Sequence, residues 1–288
     1  MEPGMDLTAP RRSIDQLLVD ATAALEDAAV GTPRLDAEVL LARACGLNRT
    51  ELYVRGREAV AAPCLAAFHT MLARRLRREP LQYIVGTEEF WSLEFMVTPD
   101  VLIPRPETEL LVELALSSSP RAAALCDVAT GSGCIAVALA RELPHAQVWG
   151  LDISLAALDV AAANAQRHGV GERLHLAVSN LLAAVGTRRF DVITCNPPYV
   201  ASGEIASLQP ELAWEPRRAL DGGDAGLTVI RRVLATVPDH LVDGGWLLME
   251  IGADQAGAVS ALARQARYTT WRIQDDYAGL PRVFMARR

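Results

Sequence analysis

The sequence predicts an α/β protein in which a doubly wound, largely parallel sheet follows a small helical bundle. Three observations predict this fold class. The chain has 288 residues, which favours two domains over one. Apolar residues recur at helical spacing before residue 80, and after residue 108 short apolar runs alternate with helical segments, as in βαβ units. We therefore predict domains at 1–80, 81–107 and 108–288.

The first domain is predicted to be a bundle of helices. Two stretches have apolar residues every three or four positions: Ile14, Leu17, Leu18, Ala21 and Leu25, and then Leu35, Val39, Leu40 and Ala44. A third helix is predicted over 63–78, and Pro80 ends it. Its C-terminal arginines are Arg74, Arg75, Arg77 and Arg78. We expect these arginines to form a solvated face, and the alternative is a docking surface for an acidic or RNA-associated partner. Residues 1–10 are polar and mixed in charge, unlike a signal peptide, and we expect the first dozen residues to be disordered.

The two later domains are predicted from shorter patterns. β-type runs at 82–85 and 90–97 predict a hairpin that links the bundle to the sheet. The strands of the sheet are predicted at 124–129, 148–152, 174–178, 190–195, 246–251, 270–275 and 282–286. Its helices are predicted at 134–142, 155–168 and 227–237. If the first and fourth of these strands are neighbours, the loops that follow them border one ligand crevice.

A glycine-rich turn, Asp-Val-Ala-Thr-Gly-Ser-Gly-Cys at 127–134, leaves a predicted strand and opens a helix. Gly131 and Gly133 allow the backbone to approach a ligand, and Asp152 can accept both hydroxyls of a ribose. The spacing also satisfies a relaxed dinucleotide fingerprint, and a tight turn without a ligand is a further alternative. Asp127 would repel a pyrophosphate, whereas it suits the cationic amino-acid end of S-adenosylmethionine.

The loop Asn196-Pro197-Pro198-Tyr199 directly follows a predicted buried strand. Its prolines stiffen the backbone. The Asn196 side-chain oxygen and the Pro197 carbonyl could accept both hydrogens of an NH₂ group on a planar, conjugated system, and Tyr199 could stack on that system. Orientation and preorganised hydrogen bonds would then support methyl transfer without a metal or a strong base. The alternative is a proline-rich turn that only caps the strand. Alone, the loop does not distinguish glutamine from adenine.

Composition and charge indicate which classes of binding partner to expect. The net charge is −7, and all 28 basic residues are arginine. Such a chain lacks the broad positive field that drives phosphate binding, so we expect no direct nucleic-acid contact. The five cysteines form no CxxC pair and the histidines show no metal spacing, so we predict no metal site and a reducing, cytoplasmic location. No apolar run approaches the roughly 20 residues of a membrane helix, so we expect no membrane partner.

Several segments together resemble one family. They are Pro-Leu-Gln-Tyr-Ile at 80–84, Leu-Ile-Pro-Arg-Pro-Glu-Thr-Glu at 102–109, the glycine turn, Asp-Ile-Ser at 152–154, Asn-Pro-Pro-Tyr at 196–199, Glu-Pro at 215–216 and Ala-Leu-Asp-Gly-Gly at 219–223. Over nearly its whole length the sequence resembles the peptide chain release factor glutamine N5-methyltransferase family (the HemK/PrmC type). The 102–109 segment is the discriminating one, since generic amino-methyltransferases share only the glycine turn and the Asn-Pro-Pro-Tyr loop.

This resemblance implies a class I S-adenosylmethionine-dependent methyltransferase domain, preceded by a hairpin and by a helical domain that docks the substrate. The implied reaction methylates the glutamine of the Gly-Gly-Gln motif in bacterial release factors, modulates translation termination and leaves S-adenosylhomocysteine. The expected cofactor contacts are Ala129, Thr130, Gly131, Ser132, Gly133, Asp152, Leu181 and Asn196, and the charge of Asp127 adds this residue to them. The expected catalytic residues are Asn196, Pro197 and Tyr199, which together with Pro198 bind the glutamine.

Three positions depart from the family pattern. Ala129 stands where the family commonly has glycine, and Asn180 and Leu181 replace an aspartate and an aromatic residue. Asn180 can still form a hydrogen bond near the adenine edge, and Leu181 can cover the adenine without stacking, so we expect weaker cofactor binding. The competing functions are methylation of adenine N6 or guanine N2 in nucleic acid, methylation of a ribosomal-protein glutamine, a catalytically silent binding protein and an NAD-dependent dehydrogenase.

Overall fold

The structure is a computed structural model that describes residues 12–288. The expectations about the first dozen residues fall outside this range, except at Arg12. The chain divides into two compact units, and the division falls between Val85 and Gly86. Within residues 12–288, no helix is long and apolar enough to cross a membrane.

The first unit is the predicted helical bundle. Its helices are α1 (Ile14–Asp27), α2 (Pro33–Cys45), α3 (Arg49–Val54), α4 (Ala62–Leu76) and α5 (Leu81–Val85). The apolar positions that predicted the first helix are the residues that α1 buries. Helix α1 begins with a capping box, in which the Ser13 hydroxyl accepts from the Gln16 amide and the Gln16 side chain accepts from the Ser13 amide.

The expectation of a solvated arginine face at the end of α4 is wrong for Arg75. This side chain is buried, and its Nε donates to the buried Asp36 carboxylate at 2.7 Å. Arg74 binds Glu79 through its Nε at 2.9 Å, whereas Arg77 is exposed. A buried guanidinium is tolerated because it is paired and hydrogen-bonded.

The prediction of a strand at 82–85 is also wrong, because these residues belong to helix α5. The Tyr83 and Ile84 amides both donate to the Pro80 carbonyl, which closes a helical turn. A short apolar run has the same appearance in a buried helix and in a strand, so periodicity does not separate them. The hairpin consists of β1 (Thr87–Phe90) and β2 (Leu93–Met96), joined at Trp91 and Ser92 with positive φ angles. The single strand predicted at 90–97 is therefore also wrong, because it contains the turn.

The second unit contains the predicted doubly wound sheet. Its strands are β3 (Ala124–Val128), β4 (Gln147–Asp152), β5 (Leu174–Val178), β6 (Phe190–Cys195), β7 (Leu241–Glu250), β8 (Thr270–Asp275) and β9 (Pro281–Arg287). Their order across the sheet is β5-β4-β3-β6-β7-β9-β8. The first five are parallel, and β9 pairs antiparallel with both of its neighbours. Strand order reverses between β3 and β6, which confirms the predicted adjacency.

Helices cover both faces of this sheet. They are α6 (Glu109–Ser118), α7 (Cys134–Glu142), α8 (Leu155–Arg167), α10 (Thr228–Thr236) and α11 (Ala256–Ala263), and a short α9 (Arg217–Leu220) lies in a loop. Successive strand residues alternate between two apolar cores: Leu125 packs with α6 and α7, and Cys126 packs with α10 and α11. With both faces covered, the ligand crevice is restricted to the carboxyl edge of the strands.

The buried Arg75–Asp36 pair generates a stability prediction. Replacing Arg75 with Met leaves a buried carboxylate without its cation, so the free energy of unfolding should fall by about 3–5 kcal/mol. All five tryptophans lie in the second unit. Urea unfolding followed by far-UV circular dichroism should therefore show an earlier helical transition, while tryptophan fluorescence changes little.

The matched control is Arg77→Met, which removes an exposed arginine from the end of the same helix. Its effect should stay within about 0.5 kcal/mol. Equal destabilisation by the two variants would mean that the buried pair has no special role.

Candidate active site

Two loops meet at the carboxyl edge of the sheet because their strands are paired. Val128 at the end of β3 is in register with Cys195 at the end of β6. The glycine turn begins at Ala129 and the Asn-Pro-Pro-Tyr loop at Asn196. The sheet thus brings together the two motifs that the sequence singled out.

The glycine turn depends on unusual backbone conformations. Ala129, Gly131 and Gly133 have φ angles of 59°, 54° and 79°. A Cβ at Gly133 would lie only 3.0 Å from the Ala161 Cβ, so this glycine also permits close packing of α7 against α8. Positive φ is sterically unfavourable for alanine, and the departure at Ala129 therefore carries a conformational cost.

Asp127 is fully buried and does not line the cavity. Its two carboxylate oxygens accept from the Thr130 and Thr194 hydroxyls, at 2.7 and 2.8 Å. Burial raises the pKa of Asp127 to about 7, against the opposing effect of the two hydrogen bonds. The carboxylate thus anchors the glycine turn to β6, and it is not placed to contact the amino-acid end of a cofactor directly.

Asp152 lies at the end of β4 and lines the cavity. Its Oδ2 accepts from the Gly131 amide at 3.0 Å, and its Oδ1 accepts from the Ser154 amide at 2.8 Å. Each carboxylate oxygen has a second lone pair. Asp152 can therefore hold the glycine turn and still accept hydroxyl hydrogens from a ligand.

The cavity has a volume of about 440 Å³ and lies between the two loops. Eight of the residues predicted to form the site line it: Ala129, Thr130, Gly131, Ser132, Asp152, Leu181, Asn196 and Pro198. Four do not: Asp127, Gly133, Pro197 and Tyr199. The volume is within the range of small-molecule sites.

One wall of the cavity includes Asn180 and Leu181. Leu181 has a φ angle of 54°, and its carbonyl accepts from the Ser179 hydroxyl at 2.7 Å. The Asn180 Oδ1 accepts from Arg232 Nη2 at 2.7 Å. Arg232 and its neighbour on α10, Val229, line the same cavity. Sequence reasoning missed both, since an arginine on an amphipathic helix carries no signal of a site.

The Asn-Pro-Pro-Tyr loop is connected to a buried acid. Asn196 Nδ2 donates to the Thr108 hydroxyl at 3.2 Å, and that hydroxyl donates to Glu250 Oε2 at 2.6 Å. The Tyr199 hydroxyl donates to Glu250 Oε1 at 3.1 Å. Burial and the Glu250 carboxylate raise the pKa of Tyr199. Tyr199 is therefore a neutral hydrogen-bond donor whose hydroxyl faces the protein.

Two further contacts fix the backbone of this loop. Gln255 Nε2 donates to the Tyr199 carbonyl at 2.9 Å. Gly222 lies so close that a Cβ there would be 2.6 Å from the Pro198 carbonyl oxygen. Sequence reasoning missed Glu250 and Gln255, although an acid that ends an apolar strand at the ligand edge is a usable signal for Glu250.

The 102–109 segment is held by a second buried acid. Glu215 accepts from the Ile103 amide at 3.2 Å and from the Arg105 guanidinium. Burial raises the pKa of Glu215, and Arg105 opposes that shift. Glu109 has a structural contact, since it accepts from the Trp91 amide at 2.7 Å. Within residues 12–288, no cluster of His, Cys, Asp or Glu side chains is arranged to hold a metal ion.

Two family models and several solved structures match parts of this chain. Residues 16–86 match the PrmC N-terminal domain, and residues 106–243 match the methyltransferase small domain. A methyltransferase from Pyrococcus furiosus has a TM-score of 0.53 at 17% identity, covering 75% of this chain and 98% of that one. The 16S rRNA N2 G1207 methyltransferase from T. thermophilus, in complex with AdoMet and guanosine, has a TM-score of 0.51 at 18% identity, covering 70% and 49%. The fold is that of class I S-adenosylmethionine-dependent methyltransferases.

Curated relatives are more similar in sequence. The release factor glutamine methyltransferase of Geobacter sulfurreducens is 46% identical over 260 residues, which are 90% of this chain and 91% of the relative. That of Moorella thermoacetica is 42% identical over 279 residues, 96% of this chain and 99% of the relative. Since these matches extend over nearly the full length of both proteins, the chain belongs to the release factor glutamine methyltransferase family.

Proposed function

We propose that this protein transfers a methyl group from S-adenosylmethionine to the side-chain nitrogen N5 of a release-factor glutamine, within the Gly-Gly-Gln motif. The observation that carries the proposal is the position of Asn196. Its amide borders the cavity beside the glycine turn, and its Nδ2 is bound to Thr108. Its Oδ1 is thereby left to accept a hydrogen from a substrate amide.

The cavity provides a fit for the cofactor. The glycine turn offers backbone groups at Ala129, Gly131 and Ser132, and Asp152 has free lone pairs for the two ribose hydroxyls. Leu181 supplies an apolar surface for the adenine. Asp127 acts indirectly, by holding Thr130. When bound, the sulfonium group supplies the methyl, and S-adenosylhomocysteine is the product.

The catalytic contribution of the chain is orientation. Asn196 Oδ1 and the Pro197 carbonyl each accept one hydrogen of the glutamine NH₂ group, which fixes the nitrogen toward the donor and raises its electron density. Pro198 lines the cavity beside Asn196, and Tyr199 supports the loop from outside the cavity lining through its hydrogen bond to Glu250. The proton leaves to water after transfer, so the chain needs no strong general base.

The proposed partner is a bacterial peptide chain release factor, as in the names of the curated relatives. We assign the docking of this substrate to the N-terminal helical domain predicted at 1–80. The net charge of −7 supports a protein substrate over nucleic acid.

The substrate is tested by incubating the protein with isotopically labelled S-adenosylmethionine and either purified release factor or ribosomal RNA. Mass spectrometry should locate the label on the glutamine of the Gly-Gly-Gln peptide. Label on a base, with none on glutamine, would refute the proposal in favour of nucleic-acid methylation.

Replacing Asn196 with Ala removes the acceptor that holds the glutamine nitrogen. We expect kcat to fall by on the order of 10²–10³, as for the loss of one preorganised hydrogen-bond partner. Binding of S-adenosylmethionine, followed by calorimetry, should remain measurable in this variant. Near-normal turnover would contradict the assigned role of Asn196.

Asp152→Ala is the complementary variant, since it removes the proposed ribose acceptor and leaves the Asn-Pro-Pro-Tyr loop intact. Hydrogen bonds to a charged group contribute about 1.5–3 kcal/mol, so the dissociation constant for S-adenosylmethionine should rise roughly 10- to 100-fold. At saturating cofactor, kcat should recover most of its value. An unchanged dissociation constant in calorimetry would exclude the ribose assignment.

A further inference from the structure

A buried acid lies behind the proposed catalytic loop. Glu250 ends β7, and its exposed fraction is 1%. One carboxylate oxygen accepts from the Thr108 hydroxyl at 2.6 Å and the other from the Tyr199 hydroxyl at 3.1 Å. Glu250 thus contacts the last residue of the Asn-Pro-Pro-Tyr loop directly and, through Thr108, the first.

The hydrogen bonds in this chain have a defined direction. A carboxylate only accepts, so the single hydroxyl hydrogen of Thr108 points to Glu250. The lone pairs of Thr108 Oγ1 then face Asn196, which donates from Nδ2 at 3.2 Å. The amide is planar, and fixing its nitrogen also fixes its Oδ1. An anion at the end of a hydrogen-bond chain polarises each bond along it, and this increases the electron density on the Asn196 oxygen.

We propose that Glu250 and Thr108 are positioning residues, which orient the Asn196 amide and polarise it through a hydrogen-bond relay so that Oδ1 accepts a hydrogen from the substrate nitrogen. The inference rests on the proposed function, because it assumes that Asn196 binds the amide that is methylated. It also gives a role to the discriminating segment at 102–109, because the short 3₁₀ turn at Pro106–Thr108 carries the Thr108 hydroxyl.

Several charged and titratable groups face Glu250 from the surrounding elements. Arg282 lies on β9, Glu107 precedes α6, Tyr199 follows β6, and Cys195 and Cys134 lie at the end of β6 and the start of α7. Burial raises the pKa of Glu250, whereas the two hydroxyl donors and Arg282 lower it and Glu107 raises it further. The relay is polarised only while Glu250 is ionised, so turnover should be lost as the pH falls through this raised pKa.

The test measures kcat against pH for purified full-length variants, at saturating S-adenosylmethionine and release factor. Glu250→Gln keeps the shape of the side chain and removes its charge. Thr108→Val keeps the shape and removes the hydroxyl, and Thr108→Ser is its matched control with the hydroxyl retained. We expect Glu250→Gln and Thr108→Val each to lower kcat on the order of tenfold, the rate equivalent of one hydrogen bond. Thr108→Ser should recover most of that loss.

Two readouts separate the relay from a merely structural role. The wild-type profile should have an acid limb that Glu250→Gln lacks. The Glu250→Gln/Thr108→Val double variant should be no slower than the slower single variant, since both changes break the same relay. An unchanged acid limb in Glu250→Gln, or a double variant in which the two losses multiply, would overturn the inference.

The failures of the two proposals are distinguishable. If the wild-type protein places no label on release-factor glutamine, the proposed function fails. If the wild type methylates glutamine while Glu250→Gln and Thr108→Val keep its kcat and pH profile, only the relay fails. Thermal unfolding and the dissociation constant for S-adenosylmethionine show whether each variant is folded. If Glu250→Gln does not fold, the comparison of Thr108→Val with Thr108→Ser still tests the relay.

Discussion

The arrangement of the site depends on one buried carboxylate. Asp127 lies in β3, where it accepts hydrogen bonds from Thr130 of the glycine turn and Thr194 of β6. Parallel pairing places the two strand ends together, and this side-chain bridge ties the glycine turn to β6, the strand that Asn196 follows. Placing a carboxylate in a fully buried position is unfavourable, and the raised pKa of Asp127 records that cost. The two hydroxyl donors offset part of this cost. Because both are bonded to the same carboxylate, they fix the distance between the two loops.

Buried carboxylates also hold two other segments of the site. Glu215 holds the segment that contains Ile103 and Arg105, and Glu250 holds Thr108 and Tyr199. Every buried side-chain nitrogen or oxygen in residues 12–288 has a hydrogen-bond partner. A fully satisfied polar network in a low-dielectric interior is rigid, because breaking any one bond leaves an unpaired group. Such rigidity suits an enzyme whose proposed contribution is to orient two reactants.

Local patterns were sufficient for much of the fold. The predicted strands at 174–178, 190–195 and 270–275 and the helix at 134–142 have the bounds seen in the structure, since apolar periodicity and flanking turn residues define them. The run at 82–85 failed because a few apolar residues fit either element. Glu250 and Thr108 are separated by 142 positions, and no local pattern indicates a hydrogen bond between residues so far apart. The sequence motifs predicted where the proposed chemistry takes place. The side chains that hold these motifs in position could be identified only from the tertiary structure.

Two of the three departures expected from the family resemblance, at Ala129 and Leu181, fall at positions where the backbone contributes more than the side chain. Ala129 and Leu181 both have positive φ angles, a conformation that side chains disfavour. Hydrogen bonds hold the backbone beside each of them: the Thr130 amide donates to the Leu151 carbonyl, and the Leu181 carbonyl accepts from Ser179. The cavity wall therefore keeps its shape although a glycine-type and an aromatic-type position are occupied by alanine and leucine. What changes at Leu181 is the chemistry of the surface, from an aromatic face to an aliphatic one, and the Asn180–Arg232 hydrogen bond borders that surface.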